Sequence, residues 1–333
     1  MRFAKTLLAA AGTLLALAAG AVAQDKVSFG TDWLAQAEHG GFYQAVADGT
    51  YAKYGLDVTI VQGGPSAANR ALLIAGKVDF YMGGVLSSLD SVKEGVPMVT
   101  VASMFQKDPQ VLIAHPEAGF KTFADLAKAD KIIIAKDLLI TKWEWMKRNF
   151  EGFKDEQVVA YQFNPAPFLA DPMAVQQGYV TSEPFEIERQ GGFKPDLFLF
   201  ADAGYNAYSE TIETSQKLVD ENPDLVKRFV EASIIGWYNY LYGDNKAANE
   251  LIKKDNPEMT DEQLAFSLAA MKDQGIVVSG DAEDKGIGCI TEERFGSFFN
   301  DLVSIGLYDA SLDWKKAIDL QFVCKGVGME LAK

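Results

Sequence analysis

The chain of 333 residues carries 46 acidic against 31 basic side chains, a formal charge of −15. So acidic a surface repels phosphate backbones and anionic head-groups, which excludes nucleic acid as a partner. With 48% hydrophobic residues, the chain is long enough for two domains of about 150 residues each.

The N-terminus reads as an export leader. Arg2 and Lys5 precede an apolar stretch over residues 7–17, and Ala21-Val22-Ala23 offers a small-x-small cleavage site. Gly12 and Thr13 interrupt the apolar stretch, which is too short for a spanning helix of roughly 20 residues. Cleavage near Ala23 is expected, and with no cysteine following it the product is expected to be free in the periplasm.

Strand and helix then alternate. Residues 27–30 form a short strand that stops at Asp32-Trp33; a loop leads to a helix over 42–54, ended by Gly55, and a second strand covers 56–61. Gly63-Gly64-Pro65 turns the chain into a helix over 69–75, and a third strand over 78–82 ends at Gly83-Gly84. This spacing predicts parallel pairing with right-handed crossovers. It places a ligand at the carboxyl ends of the strands, at Trp33 and at residues 62–66 and 81–84.

Two further strands cover 99–103 and 111–114, and His115-Pro116 breaks the pattern. A second α/β unit follows, with strands over 131–135 and 158–163, a helix over 141–150, a helix-to-strand step over 174–180 and a strand over 196–201. Residues 221–333 are mainly helical, and Thr260 with Gln263 fits a capping box.

Cys289 and Cys324 are the only cysteines. An isolated pair in an oxidising compartment favours a bridge, with two buried thiols as the alternative. The two histidines, His39 and His115, lie far from both cysteines in sequence, and no metal-ligand spacing appears.

The run Asp32-Trp33, His39-Gly40-Gly41-Phe42-Tyr43, Tyr54-Gly55-Leu56-Asp57-Val58, Gly63-Gly64 and Ala75-Gly76-Lys77-Val78-Asp79-Phe80 resembles the solute-binding proteins of ABC importers. Within them it is similar to the group of thiamine-pyrimidine-precursor, alkanesulfonate and nitrate binders. A second block, residues 176–185, resembles the segment where the second lobe of those proteins presents a Glu-Pro, here Glu183-Pro184. The resemblance implies an α/β, two-lobe periplasmic-binding-protein fold of type II. The ligand cleft would lie between the lobes, with a helical C-terminal tail packed on lobe one. It implies lobe one over 25–114 and 203–333, lobe two over 117–202, and hinges at His115-Pro116 and residues 201–204. It further implies a monomer that takes a small-molecule ligand and serves permease and ATPase subunits in the inner membrane, with no cofactor. A pyrimidine synthase shares the resemblance, but its dense cysteine motif is absent, so an enzyme is not expected.

Candidate ligand residues follow from the strand ends. The Trp33 indole suits a flat ring by offset stacking. His39 either hydrogen-bonds the ligand or caps a helix. Gly63, Gly64 and Ser66 precede a helix whose free N–H groups suit an anion or carbonyl. Tyr81 and Gly83 end the third strand, and Gln106 follows another strand end. Tyr179, Thr181 and Glu183 alternate on what reads as one extended segment, so they are expected on one face. The stretch 135–143 lacks glycine and serine, and Asp137 within it opposes an anion. These residues point to a small nitrogen heterocycle, a pyrimidine related to thiamine biosynthesis or another aromatic vitamin ring such as a flavin. A sulfonate- or nitrate-type anion is the alternative.

Overall fold

The computed structural model describes residues 23–64 and 67–332. The leader and Ser66 lie outside these residues, as does the side chain of Asp137. Ten strands follow in chain order: β1 (Asp25–Gly30), β2 (Leu56–Val61), β3 (Phe80–Gly83), β4 (Met98–Phe105), β5 (Gln110–Ala114), β6 (Lys131–Ile134), β7 (Val158–Ala160), β8 (Ala174–Tyr179), β9 (Asp196–Leu199) and β10 (Ser209–Ser215). They form two five-stranded sheets, ordered β2-β1-β3-β10-β4 and β7-β6-β8-β5-β9.

β1 pairs parallel with β2 and β3, as the strand–helix spacing requires. β6 pairs parallel with β7 and β8 in the second sheet. Every residue of β4 and β5 is buried, in keeping with their apolar composition.

The boundary expected after residue 114 is corrected by the pairing. β5 lies antiparallel between β8 and β9, so it belongs to the second sheet. The first crossing between lobes therefore falls at residues 106–109 and not at His115-Pro116. His115 is instead buried, its Nε2 2.8 Å from the Phe168 carbonyl and its ring stacked on Phe193. The return crossing lies between β9 and β10 and includes the expected residues 201–204.

Three elements depart from the sequence reading. The helix expected over 42–54 splits into Gly40–Ala47 and Thr50–Lys53, because Gly49 adopts a left-handed φ of 72°. The 183–185 segment opens a helix, Glu183–Gly191, in place of extended chain. β10 is a central strand that the polar run Ser209–Ser215 did not suggest.

The core of lobe one is aromatic. Phe80 stacks on Phe229 at 4.0 Å between centroids, and Phe29 lies 4.3 Å from Phe42. The long helix Pro223–Tyr242 crosses the helix Gly40–Ala47 so closely that a Cβ on Gly40 or Gly41 would strike the Tyr240 or Trp237 ring. That close packing explains the Gly40-Gly41 pair. A second cluster, around Phe123, Trp145 and Phe200, joins lobe two to the C-terminal helix through contacts such as Tyr205 on Phe298.

The C-terminal segment reaches back to the crossings. Cys289 and Cys324 are joined in a disulfide, with Cα atoms 4.5 Å apart. Arg294, at the start of the helix Glu292–Ser304, donates from Nη1 to Gln106 Oε1 at 3.1 Å and from Nη2 to the Gln106 carbonyl. Its Nε–H donates to the Asn206 carbonyl at 3.4 Å, and its guanidinium lies 4.1 Å from the centre of the Tyr208 ring. One side chain thus holds both crossings.

Candidate functional site

A cavity of ≈ 220 Å³ lies between the sheets, at the carboxyl ends of β1, β6, β7 and β8. Strand ends free their last side chains and backbone groups from the sheet, which is why open α/β sheets bind ligands there. Asp32, Trp33 and Gln36 enter after β1, Ala135 after β6, Tyr161 and Phe163 after β7, and Gln177 and Tyr179 from the end of β8. Gln110, Ser182, Glu183 and Glu210 complete the lining.

Two lobes supply its aromatic walls. Trp33 of lobe one faces Phe163 of lobe two, 6.1 Å between centroids and 31° between planes. Tyr161 backs Phe163 at 5.0 Å. Phe163 is 67% exposed and has a φ of 54°, a left-handed conformation that costs a bulky residue about 1–3 kcal/mol. The ring is held in the open at the mouth of the cleft.

The polar lining is acidic. The two Glu183 carboxylate oxygens accept from the Tyr179 backbone N–H at 2.7 Å and from the Tyr161 hydroxyl at 3.2 Å. Burial raises its pKa, and those hydrogen bonds oppose the shift. Each carboxylate oxygen has two lone pairs, so Glu183 keeps acceptor capacity for a ligand N–H. Glu210 is 5% exposed, and its Oε2 has no hydrogen-bond partner among the described residues. Burial first, then the neighbouring Asp32, Glu38 and Asp108, push its carboxyl well above the ordinary range. Among the described residues, no lysine or arginine lines the cavity.

Of the residues singled out from sequence, the structure brings Trp33, Tyr179 and Glu183 to this cavity. The others have different surroundings. His39 is buried behind Asp32, with its Nε2 3.3 Å from Asp32 Oδ1, and its side chain caps no helix. The Gly63 N–H is occupied by Thr31 Oγ1 at 2.9 Å and the Trp33 carbonyl at 3.1 Å, and a Cβ there would strike the Thr31 backbone. Gly64 packs on Leu34. Gly63 is therefore not free to cradle an anion.

Tyr81 packs beside Leu73, Val78 and Met98, and burial raises its phenol. Gly83 leaves room for the carboxylate of Glu213, which bonds Ser87. Gln106 is fully buried, its Nε2 on the Cys289 carbonyl at 2.9 Å and its oxygens on Arg294. Thr181 sits in the turn after β8, so it does not share a face with Tyr179 and Glu183. Its hydroxyl bonds Glu38 of lobe one, and its carbonyl accepts from Ser267 Oγ at 2.6 Å and Gln263 Nε2 at 3.1 Å. Thr181 therefore fastens lobe two to lobe one. Gln263 makes this contact instead of closing the capping box, of which only the bond to Thr260 Oγ1 forms.

Sequence reasoning missed Glu210, Phe163, Tyr161 and Gln177. Tyr161 and Phe163 lay inside the run 158–163 read as strand, whereas β7 ends at Ala160 and leaves both beyond the strand end. The available signal for Glu210 was the polarity of Ser209–Ser215 itself, since a central strand with one apolar residue is out of place in a core.

The architecture is the periplasmic-binding-protein fold. The periplasmic aliphatic sulphonate binding protein SsuA from Escherichia coli matches it at a TM-score of 0.65 over 89% of this chain and 92% of that one. Identity is 13%, so the likeness concerns the fold. The profile of the NMT1/THI5 like family matches residues 36–248, and the chain belongs to that family. It is similar to the riboflavin-binding protein RibY of Chloroflexus aurantiacus, 25% identical over 228 residues that make up 67% of this chain and 64% of that protein. A putative thiamine biosynthesis protein of Haemophilus influenzae is 28% identical over 104 residues, 31% of this chain and 33% of that one. The chain thus spans less than two thirds of the length of either relative.

Proposed function

We propose that this protein is the ligand-binding component of an ABC-type importer, exported to the periplasm, and that it captures a small nitrogen heterocycle between its lobes. The observation that carries the reading is the pairing of Trp33 with Phe163 across an acidic, cation-free cavity. Aromatic faces suit a flat ring, and carboxylates suit its N–H donors. The same carboxylates repel sulfonate and nitrate, and no lining cation offsets that repulsion. A cavity of ≈ 220 Å³ is below the roughly 300–1,000 Å³ usual for ligand pockets, which favours a single ring over a tricyclic flavin in this conformation. The likeness to a riboflavin-binding relative keeps a flavin as the second reading, reached by wider opening of the lobes.

Capture would be two-state: an open form admits the ligand, and the closed form, fastened at Thr181, is presented to a permease with its ATPase. Thermal-shift measurements against pyrimidines, riboflavin, alkanesulfonates and nitrate test this. A matched heterocycle stabilises by about 2.7 kcal/mol at one hundred times its dissociation constant. Stabilisation by sulfonate or nitrate alone overturns the reading, and conversion of the bound ring into product would make the protein an enzyme.

A further inference from the structure

We propose that Glu210 is the counter-ion for a protonated nitrogen on the ligand, so that the cargo is a ring bearing a cationic amine. This rests on the heterocycle reading above. The neighbouring acids already have partners. Glu38 is bonded to Thr181, Glu183 to the Tyr179 N–H and the Tyr161 hydroxyl, and Asp108 to Lys142 Nζ at 2.8 Å. Asp32 has His39 at 3.3 Å. Glu210 lines the cavity, is buried, and has an Oε2 without a partner among the described residues. A carboxyl oxygen left so is costly unless something else completes it. Glu210 itself is part of the wall of the ligand space.

The acids that act on Glu210 are Asp32 from the loop after β1, Glu38 from the turn before the helix Gly40–Ala47, and Asp108 from the first crossing; Tyr81 of the adjacent β3 is also close, its phenol raised by burial and then by Asp32, Glu213 and Glu210. Tyr179 of β8 approaches from lobe two and is neutral, its phenol raised first by burial and then by Glu210. Burial and the three acids around it favour the protonated form of Glu210 in the ligand-free protein. A cationic ligand takes that proton's place. The O–H bond of Glu210 breaks, the proton passes to solvent, and a charge-assisted N–H to carboxylate hydrogen bond forms with no other bond altered. A neutral ring has no reason to expel it.

The test is calorimetry at pH 7 on the full exported chain, with an aminomethylpyrimidine and its hydroxymethyl counterpart, in two buffers of different ionisation enthalpy. The aminomethyl compound should bind about tenfold or more tightly and release close to one proton per ligand. Glu210→Gln should abolish the release and cut its affinity about tenfold. Equal affinity for the two compounds overturns the proposal and leaves the heterocycle reading standing, as does binding of riboflavin alone. Tighter aminomethyl binding without proton release assigns the charge selection to Asp32 or Glu183 and also overturns it. Binding of neither pyrimidine nor riboflavin overturns the heterocycle reading itself. Should Glu210→Gln fail to fold, the buffer comparison on the wild type still decides.

Discussion

On the proposed function Trp33 and Phe163 share the ring-binding task across the lobes, and their surroundings make their substitutions behave differently. Trp33 is half-buried beside its loop, so Trp33→Ala should cost about 1 kcal/mol or more of ligand affinity through lost stacking and apolar contact, with the fold intact. Unchanged affinity by calorimetry would make Trp33 scaffold. Phe163 is exposed and strained, so Phe163→Gly removes a left-handed penalty while discarding little buried surface. The variant should be as stable as the wild type or more so, by up to about 1 kcal/mol, yet bind the ring more weakly. A clear fall in melting temperature would show that the ring supports the fold.

Glu213 carries a pH dependence with a definite sign. Burial pushes its carboxyl up to about 7 from 4.5. The native state therefore holds more protons than the unfolded chain between those values, and stability falls as pH rises through that window. The loss is on the order of 3 kcal/mol and is complete above about pH 7. Glu213→Gln should flatten that part of the denaturation profile relative to wild type. Parallel wild-type and variant profiles would locate the dependence elsewhere.

Among elements, the crossings and β10 decide how the molecule works. The Arg294 fork reaches Gln106 on one crossing and Asn206 on the other, which a single ammonium cannot do. Arg294→Lys should lower stability by about 1–3 kcal/mol and widen the ligand-free molecule, read as a larger radius of gyration by small-angle scattering. Identical melting and scattering curves would sink that role.

Much of this level was legible in sequence. The parallel β1–β2–β3 unit followed from glycine-punctuated apolar runs, and Trp33 from its place after β1. β10 was not, because Ser-Glu-Thr-Ile-Glu-Thr-Ser has the composition of a surface turn, while its burial depends on β3 and β4 closing from both sides. Such a polar strand in a core is set by function more than by propensity. The side of the crossing on which β5 falls was also hidden: an apolar five-residue run fits either sheet, and only pairing with β8 and β9 decides.

At the scale of the whole molecule, the disulfide spans a sequence separation of 35 and fixes the C-terminal tail beside the segment that Gln106 touches. Replacing both cysteines by serine should lower unfolding free energy by about 3–4 kcal/mol on the chain-entropy account. Equal denaturant midpoints for the oxidised and serine forms would contradict this.

The connectivity also dictates an order of assembly. All strands of the second sheet lie in one uninterrupted stretch between the crossings, so that sheet can pair as soon as β9 has been made. The first sheet cannot. Its strand β10, which lies between β3 and β4, meets β4 only across a gap of 106 residues, as between Ser103 and Ser209, and until then β3 and β4 offer open edges to any other chain. A chain leaving the ribosome is thus half folded at most until its last third appears. The same delay makes chains truncated before β10 the forms most prone to aggregate.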